Sequence, residues 1–245
     1  MVIDLHCHAK LSKKAPFSIN HFHKLQQAAL RTGLQAIALT EHFNTRGFDQ
    51  VYETLINLYP YRDDFFDVRG LKVFCGMEVD VREGGHILLI GKREEVLSLQ
   101  KELSLFLDKG TFPPLDFLLQ EAGRREMLKI GAHPFRNNHS LGRLNADLLK
   151  QLDCLELNGK DFKKEDAVIR MAVSLHLPVA AGSDAHHWLQ VGCVRNQLDK
   201  DCTRVSQIRD CLKEGRSKTV IAAGIGLKLT GARVVKKILK RFSYA

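Results

Sequence analysis

The chain has 245 residues, of which 44% are hydrophobic, which is enough for one large core and typical of a single α/β domain. No apolar stretch approaches the roughly 20 residues that a membrane-spanning helix needs, and the N-terminus lacks the pattern of a signal peptide, so we expect a cytoplasmic protein. The six cysteines are scattered without a C-x-x-C pair, which argues against a zinc ribbon or a disulfide scaffold.

The formal net charge of +9 comes from the last fifth of the chain. Residues 195–245 contain 13 basic and 4 acidic side chains, whereas residues 1–194 contain 24 of each. In this segment “ARVVKKILKRF” predicts a basic amphipathic helix over about residues 231–245, with Val234, Val235, Ile238, Leu239 and Phe242 on one side and Lys236, Lys237, Lys240 and Arg241 on the other. Such a surface can attract nucleic acid, anionic lipid or an anionic substrate, although a solvated helix face is the simpler interpretation.

Short apolar runs rich in β-branched residues alternate with amphipathic helical patterns along the chain. In chain order the runs are “MVIDLH”, “LQAIALTEH”, “LKVFCGMEVDV”, “GHILLIG”, “LKIGAHP”, “CLELNG” and “LPVAAGSDAH”. Strands that alternate with helices favour βαβ units and a parallel sheet. We therefore predict one domain over residues 1–245, built on a barrel of the (β/α) type, in which functional sites lie where the strands end.

One connection departs from the parallel pattern. Only four residues, Arg82 to Gly85, separate “MEVDV” from “HILLIG”. This is too short for a parallel crossover, so we predict a β-hairpin. The hairpin returns His86 to the end of the strand that carries Glu78.

Residues that can ligate a metal follow strand after strand. They are His6, His8, Glu41, His42, Glu78, His133, Asp184 and His186, and the hairpin adds His86. One histidine at a strand end is more often structural, but so many at the same end of a barrel predict a metal cluster. Imidazole and carboxylate together suit Zn, Mn or Fe. Two ions about 3.5–4 Å apart can hold a bridging hydroxide and neutralise a phosphoryl group.

A second H-x-H pair, His21 and His23 in “NHFHK”, provides a contrast. It lies in a predicted helix, where residues i and i+2 are about 200° apart and do not face each other. We therefore assign this pair to a helix surface. His139 and His176 also lack a site-like context, and His187 is at most an outer partner of a ligand.

The ordered motifs “DLHCH”, “TEH”, “GMEV”, “GH”, “AHP” and “GSDAH” resemble those of the PHP (polymerase and histidinol phosphatase) superfamily over residues 1 to about 192. The resemblance implies an α/β fold with a distorted (β/α)7 TIM-like barrel and a phosphoesterase with two to three divalent metal ions, Zn, Mn or Fe, as cofactors. It further implies a first ion held by His6, His8, Glu78 and Asp184, a second by Glu78, His86 and His133, and a third with His42 and His186 as ligands.

The lysine-rich stretch after H-x-H departs from the family pattern. Family members usually have a further His or Asp there, and the aligned residue here is Lys14, which cannot be a normal ligand while protonated. Our hypothesis is that Lys14 or Lys13 replaces part of the charge of a third ion and binds the substrate phosphate. Glu41 stands where the family has an Asp, and it either orients His42 or takes an outer position.

Phosphate binding also calls for cationic donors outside the metal ligands. Arg136 and Arg195 are the candidates, because guanidinium binds phosphate in a bidentate manner. Glu156 and Asn158 follow another strand and are candidates for orienting a ligand histidine. We assign catalytic roles to Asp184 and His186 among the ligands and to Arg136 and Lys14 among the cations.

The sequence thus favours a metal-dependent phosphoesterase that acts through a metal-bridging hydroxide. Its substrate would be a phosphorylated small molecule, a nucleotide or the end of a nucleic acid, and the oligomeric state is left open. One alternative is a C–N hydrolase of the amidohydrolase kind, which shares H-x-H on its first strand. Another is a non-catalytic module that binds metal or nucleic acid, with the basic C-terminal helix as its binding surface.

Overall fold

The computed structural model describes residues 1–136 and 140–242, with the backbone alone for residues 236–242. The strands are β1 (Val2–Cys7), β2 (Ala36–His42), β3 (Tyr61–Arg62), β4 (Phe65–Val68), β5 (Leu71–Asp80), β6 (His86–Gly91), β7 (Leu128–Ala132), β8 (Cys154–Asn158), β9 (Val179–Gly182), β10 (Val194–Leu198) and β11 (Ser217–Ile221). The α-helices are α1 (Ile19–Arg31), α2 (Phe48–Leu58), α3 (Arg93–Glu102), α4 (Leu115–Arg124), α5 (Ala146–Leu149), α6 (Glu165–Leu175), α7 (Val205–Lys213) and α8 (Ile225–Phe242). His139 and the side chains of Lys236, Lys237, Ile238, Leu239, Lys240, Arg241 and Phe242 lie outside the described residues.

The strands form one curved sheet in the order β11-β10-β1-β2-β5-β6-β7-β8-β9. β1, β2 and β5 are parallel neighbours, as are β7, β8 and β9. β6 is antiparallel to β5 and to β7, so the predicted hairpin is confirmed. The sheet is a nearly closed barrel, and the predicted TIM-like barrel fold is confirmed. None of the helices in the described part of the chain combines the length and apolarity needed to cross a bilayer.

The barrel closes between β1 and β9 through a side chain and a short bridge. The Asn196 amide on β10 donates to the carbonyls of Ile3 and Ala181 and accepts from the Ala181 N–H, at 3.3, 2.7 and 2.8 Å. Further along, the His8 N–H donates to the Ala185 carbonyl at 2.8 Å. These bonds satisfy backbone groups that a regular strand pair would satisfy, and they fix β9 beside β1.

Two apolar layers result from the alternation of side chains along the strands. One fills the barrel, where Ile3, Phe74 and Leu88 meet residues of α7 that cover the opposite end from the strand-end histidines. The other lies between the strands and the surrounding helices and includes Ile37 and Leu118. All six cysteines are buried and free.

The sequence patterns missed the elements after Gly192 and the start of the last helix. β10, α7 and β11 follow one another there, and α8 begins at Ile225 rather than near residue 231. Glycine in a helix costs about 1 kcal/mol relative to alanine, so Gly226 and Gly231 weaken the helical signal. Burial of Ile225 and Ala232 against the barrel compensates, whereas Val234, expected on the apolar side, is 53% exposed.

Tyr52 provides a test of how α2 supports the sheet. Its buried hydroxyl donates to the Gly76 carbonyl at 2.7 Å and accepts from the Gly76 N–H at 3.0 Å. Tyr52→Phe leaves both groups of β5 without this partner, so we expect the free energy of unfolding to fall by about 1–3 kcal/mol in urea denaturation. Tyr59→Phe removes a hydroxyl that lies 2.6 Å from His23 Nε2 on the partly exposed surface, where water can replace it, and should change the free energy of unfolding by less than about 0.5 kcal/mol. Equal losses in the two variants would contradict the assignment.

Candidate metal centre

A β-bulge at the end of β1 turns two histidines into the barrel. In the β1–β2 pairing Asp4 is opposite Ile37, but Cys7 is opposite Leu39, so β1 contains one extra residue. Ile3 and Leu5 face the barrel interior, whereas Cys7 packs on the helix side. The extra residue shifts the alternation, so His6 and His8 face inward together.

The first group consists of His6, His8 and Asp184. The two histidine Nε2 atoms are 3.2 Å apart. Asp184 Oδ1 lies 3.3 Å from Nε2 of His8 and 3.9 Å from Nε2 of His6. All three residues are buried, and their donor atoms converge on one point. This set could hold one metal ion.

Glu78 connects this group with a second one, formed by Glu78, His86 and His133. Its Oε1 is 2.6 Å from His86 Nδ1 and 3.1 Å from His133 Nε2. Its Oε2 is 3.5 Å from Nε2 of both His6 and His8. Oε2 is buried, and although His42 Nδ1 lies 3.0 Å from it, no side chain among the described residues forms a hydrogen bond with it. A buried carboxylate oxygen surrounded by imidazole nitrogens fits a metal ligand, since such an oxygen is costly to leave unpaired.

The third group contains only histidines, namely His8, His42 and His186. Lys14, the residue aligned with a further ligand, is exposed and makes no hydrogen bond or ion pair with any residue that the structure describes. Lys13 instead reaches the centre, because its Nζ lies 2.8 Å from Asp80 Oδ2. Asp80 Oδ1 in turn lies 3.0 Å from His86 Nε2.

The protonation of the cluster reflects close packing of opposite charges. Burial alone raises the pKa of Glu78, but His42, His86 and His6 hold that pKa well below its usual value. Burial lowers the pKa of His86, yet Glu78 and Asp80 outweigh this effect and raise it to about 9. Burial, together with the charges of His8 and Lys13, lowers the pKa of His42 to about 4 despite the opposing charge of Glu78. Ionised carboxylates and a neutral His42 suit metal binding.

Glu156 forms hydrogen bonds with residues of both the first and the second group. Its Oε1 accepts from His6 Nδ1 at 2.7 Å, and its Oε2 accepts from the His133 N–H at 2.8 Å. The Asn158 amide donates to Glu156 Oε1 at 3.1 Å. A carboxylate on Nδ1 fixes the ring so that Nε2 of His6 faces the first group.

Two cations hold the second oxygen of Asp184. Arg136 Nη1 donates to Asp184 Oδ2 at 2.8 Å and Lys160 Nζ at 2.6 Å, while Arg136 also donates to Asn158 and Asp161. Burial raises the pKa of Asp184, but Lys160 and His6 hold it well below its usual value. The sequence patterns did not predict Lys160, although its position just after the end of β8 could have indicated a role at the centre.

The remaining candidates occupy separate positions. Arg195 donates to the Gly192 carbonyl at 3.0 Å and makes no ion pair with the cluster among the described residues. His21 and His23 lie on α1 and belong to none of the three groups, but His21 Nε2 is 3.0 Å from the His186 carbonyl oxygen. His187 is fully buried beside Trp188. Glu41 Oε1 lies 3.5 Å from His8 Nδ1.

Two further buried charges behind the cluster had no clear sequence signal. Asp4 accepts from the N–H groups of His6, Ser183 and Gly192 at 3.2, 2.9 and 2.9 Å, which ties the β1 bulge to the Asp184 loop. Lys10 is 1% exposed. Its Nζ donates to the Thr45 hydroxyl and the Arg46 carbonyl, both at 2.6 Å. Lys10 therefore fixes the start of the lysine-rich stretch against the loop after β2.

Comparison with solved structures supports the fold assignment. PsfC from Pseudomonas syringae PB-5123 has a TM-score of 0.80 and 21% identity, over 97% of this chain and 98% of PsfC. The lesion-specific endonuclease PfuEndoQ from Pyrococcus furiosus has a TM-score of 0.68 and 22% identity, over 89% of this chain and 57% of that chain. Another endonuclease Q structure, with a 27-mer duplex substrate carrying an abasic lesion at the active site, has a TM-score of 0.69 and 21% identity, over 90% of this chain and 58% of that one.

A two-domain protein from Bacteroides vulgatus ATCC 8482, containing a predicted PHP-like metal-dependent phosphoesterase, has a TM-score of 0.61 and 17% identity, over 90% of this chain and 64% of that chain. No curated protein sequence matches the chain. The PHP-associated family matches residues 166–217. The PHP domain family matches residues 4–187, well over half of the sequence and all of the strand-end histidines. The chain therefore belongs to the PHP family.

Proposed function

We propose that this protein is a metal-dependent phosphoesterase with two to three ions of Zn, Mn or Fe. The main support for this proposal is the geometry of Glu78, whose two oxygens face two different histidine groups. A carboxylate in this position can bridge two ions, which a neutral imidazole cannot. His6, His8 and Asp184 then complete the first set, His86 and His133 the second, and His42 and His186 a third with His8.

The ions, when bound, supply a nucleophilic hydroxide at neutral pH and charge that stabilises the phosphoryl group. The chain's own residues orient this centre. Glu156 fixes the ring of His6, and Arg136 with Lys160 directs Asp184 so that Oδ1 faces His6 and His8. His186 lies in the third group and stacks on His8, with ring centroids 3.9 Å apart.

Cations at the centre favour an anionic substrate. Arg136 uses three of its donor groups on Asp184, Asn158 and Asp161, so it acts mainly on the position of Asp184 and has donors to spare for a phosphate oxygen. Lys160 is partly exposed beside it. On the other side, Lys13 and the exposed Lys14 are the lysines that we propose for phosphate binding in place of a ligand to a third ion.

The substrate class is a phosphate ester, either a small monoester or a nucleotide or nucleic-acid phosphate. Endonuclease Q, which has a similar fold, binds a DNA duplex at its active site, and this supports including phosphodiesters. An amidohydrolase would usually place a single Asp after its last strand and a modified Lys between its ions, whereas here Glu78 lies between two histidine groups and Asp184 and His186 follow the last strand of the series.

Glu78→Gln tests the bridge. The neutral amide keeps the size of the side chain but removes the charge that balances the ions, so we expect at least one bound ion per chain to be lost and hydrolysis of a generic aryl phosphate with Mn to fall by about 100-fold or more. Metal analysis and a colorimetric assay measure the two effects. Glu53→Gln makes the same change on the exposed face of α2 and should alter neither.

Asp184→Ala or His8→Ala should likewise abolish hydrolysis. If the wild-type protein with measured metal hydrolyses no aryl phosphate mono- or diester, the phosphoesterase proposal is wrong. A protein that then cleaves cyclic amides would be an amidohydrolase, and one that cleaves neither would be a non-catalytic module.

Gly182→Ala tests the support of the first group. A Cβ at Gly182 would lie 2.3 Å from Glu156 Oε1 and 2.5 Å from the His6 Cβ, so the substitution has to displace the pair that orients His6. We expect metal affinity to fall by about 10- to 100-fold in a chelator competition assay. Gly123→Ala, in α4 with no atom within 4 Å of the added Cβ, serves as control. Equal metal affinities in the two variants would contradict this role.

A further inference from the structure

The first half of α8 packs against the barrel beside the segment that follows His186. Ile225, Leu229 and Ala232 lie on one face of the helix and pack against the barrel. A Cβ at Gly231 would lie 3.9 Å from a methyl group of Leu189, in the segment just after His186. The helix therefore packs beside the segment that follows His186.

A small groove connects α8 with the metal centre. Its volume is about 140 Å³, and it is lined by Lys160, Gln190, Leu229, Ala232 and Arg233. Lys160 forms its inner end, because its amine lies 2.6 Å from Asp184 Oδ2. Arg233, on α8, forms its outer wall and is exposed.

Lys228 adds a second cation from α8 to the same region. Burial raises the pKa of the Cys193 thiol to about 12, while the charges of Lys228 and Lys160 both act to lower it. Cys193 lies next to Gly159, the residue before Lys160, since a Cβ at Gly159 would be 2.6 Å from the Cys193 sulfur. Lys228 lies one helical turn before Ala232, so it is on the side of α8 that borders the groove.

Two cations of α8 have no acidic partner among the residues that the structure describes. Neither Lys228 nor Arg233 forms an ion pair within the described ranges 1–136 and 140–235, whereas Lys72, Arg125 and Arg216 do. Asp161, the nearby carboxylate, is held by Arg136 and Lys164. The positive charge beside the groove is thus available for an external anion.

We propose, on the basis of the proposed phosphoesterase function, that this groove binds the backbone of a single polynucleotide strand next to the phosphate at the metal centre. The metal centre, Arg136 and Lys160 are sufficient to bind one phosphate. The cations of α8, Lys228 and Arg233, therefore fit the neighbouring phosphates of a strand. The sequence after Arg233 continues with Lys236, Lys237, Lys240 and Arg241, so the chain stays basic beyond the groove residues. Basic grooves that follow the backbone are typical of single-strand binding.

The test measures strand binding by the full-length, metal-loaded protein. The probe is a fluorescent phosphorothioate oligothymidylate of about 12 nucleotides, a length within typical single-strand sites, which keeps the backbone charge and resists cleavage. Fluorescence anisotropy over a range of salt concentrations gives the slope of log Kd against log salt. Each cation that contacts a phosphate contributes about 0.7 to this slope for single strands.

We expect the slope to fall by about 0.7 in Arg233→Gln and by about 1.4 in the double variant with Lys228→Gln. Lys218→Gln removes one charge from β11, at the opposite end of the barrel, and should leave the slope unchanged. Equal thermal unfolding midpoints and metal contents show that the variants are folded. An unchanged slope in the double variant, or an equal loss in Lys218→Gln, overturns the proposal.

Two further outcomes separate this inference from the proposed function. If a phosphorylated dinucleotide shows the same loss in the double variant as the long strand, the groove serves a small bisphosphorylated substrate and the strand proposal is wrong. If wild-type protein hydrolyses aryl phosphates but binds no strand, this inference alone fails. If it binds the strand through Lys228 and Arg233 but hydrolyses no phosphate ester, the groove stands and the phosphoesterase proposal fails.

Discussion

The structure is organised around a buried carboxylate, Glu78, which is 1% exposed and lies among imidazole rings. An isolated buried charge is very costly, so it has to be balanced by cations or metal ions. Five histidines supply nitrogen atoms within 3.5 Å of its two oxygens, namely His6 and His8 at the end of β1, His42 at the end of β2, His86 from β6 and His133 after β7. Because these strands are far apart in sequence, the centre requires a closed barrel before its charges can be balanced.

Barrel closure and charge balance depend on each other. Asp4 holds the bulge that carries His6 and His8 against the loop that carries Asp184, and Asn196 fastens β1 to β9 beneath it. The reversal of β6 serves the same end. A parallel strand would place its first residue at the opposite end of the barrel, whereas the antiparallel β6 places His86 beside Glu78. The irregular features of this barrel thus lie where donor atoms have to converge.

Strand alternation explains why part of the centre was predictable from the sequence. Four residues face the barrel interior together with the buried residues two positions away on the same strand, namely His42, Glu78, His86 and Glu156. Their inward direction could therefore be predicted from strand alternation and from their place at the strand ends. Asp184 and His133 instead have φ values of 50° and 31°, and His6 follows a bulge. Their inward direction depends on left-handed backbone or an extra residue, which alternation does not reveal. Lys160, Lys10 and Asn196 act through contacts between distant segments, for which no local pattern exists.

The lysine-rich stretch and the loops after β7 and β8 place cations on two sides of the metal centre. On the first side Lys10 is buried among uncharged oxygens and fixes the loop, which leaves Lys13 free to reach Asp80 beside His86. On the second side Arg136 and Lys160 neutralise the outer oxygen of Asp184. Both carboxylates are therefore paired on the sides that face away from the histidines, and their cations line the approach to the centre. Under the proposed phosphoesterase function, the phosphate of the substrate meets positive charge from both sides, which favours anionic substrates over neutral ones.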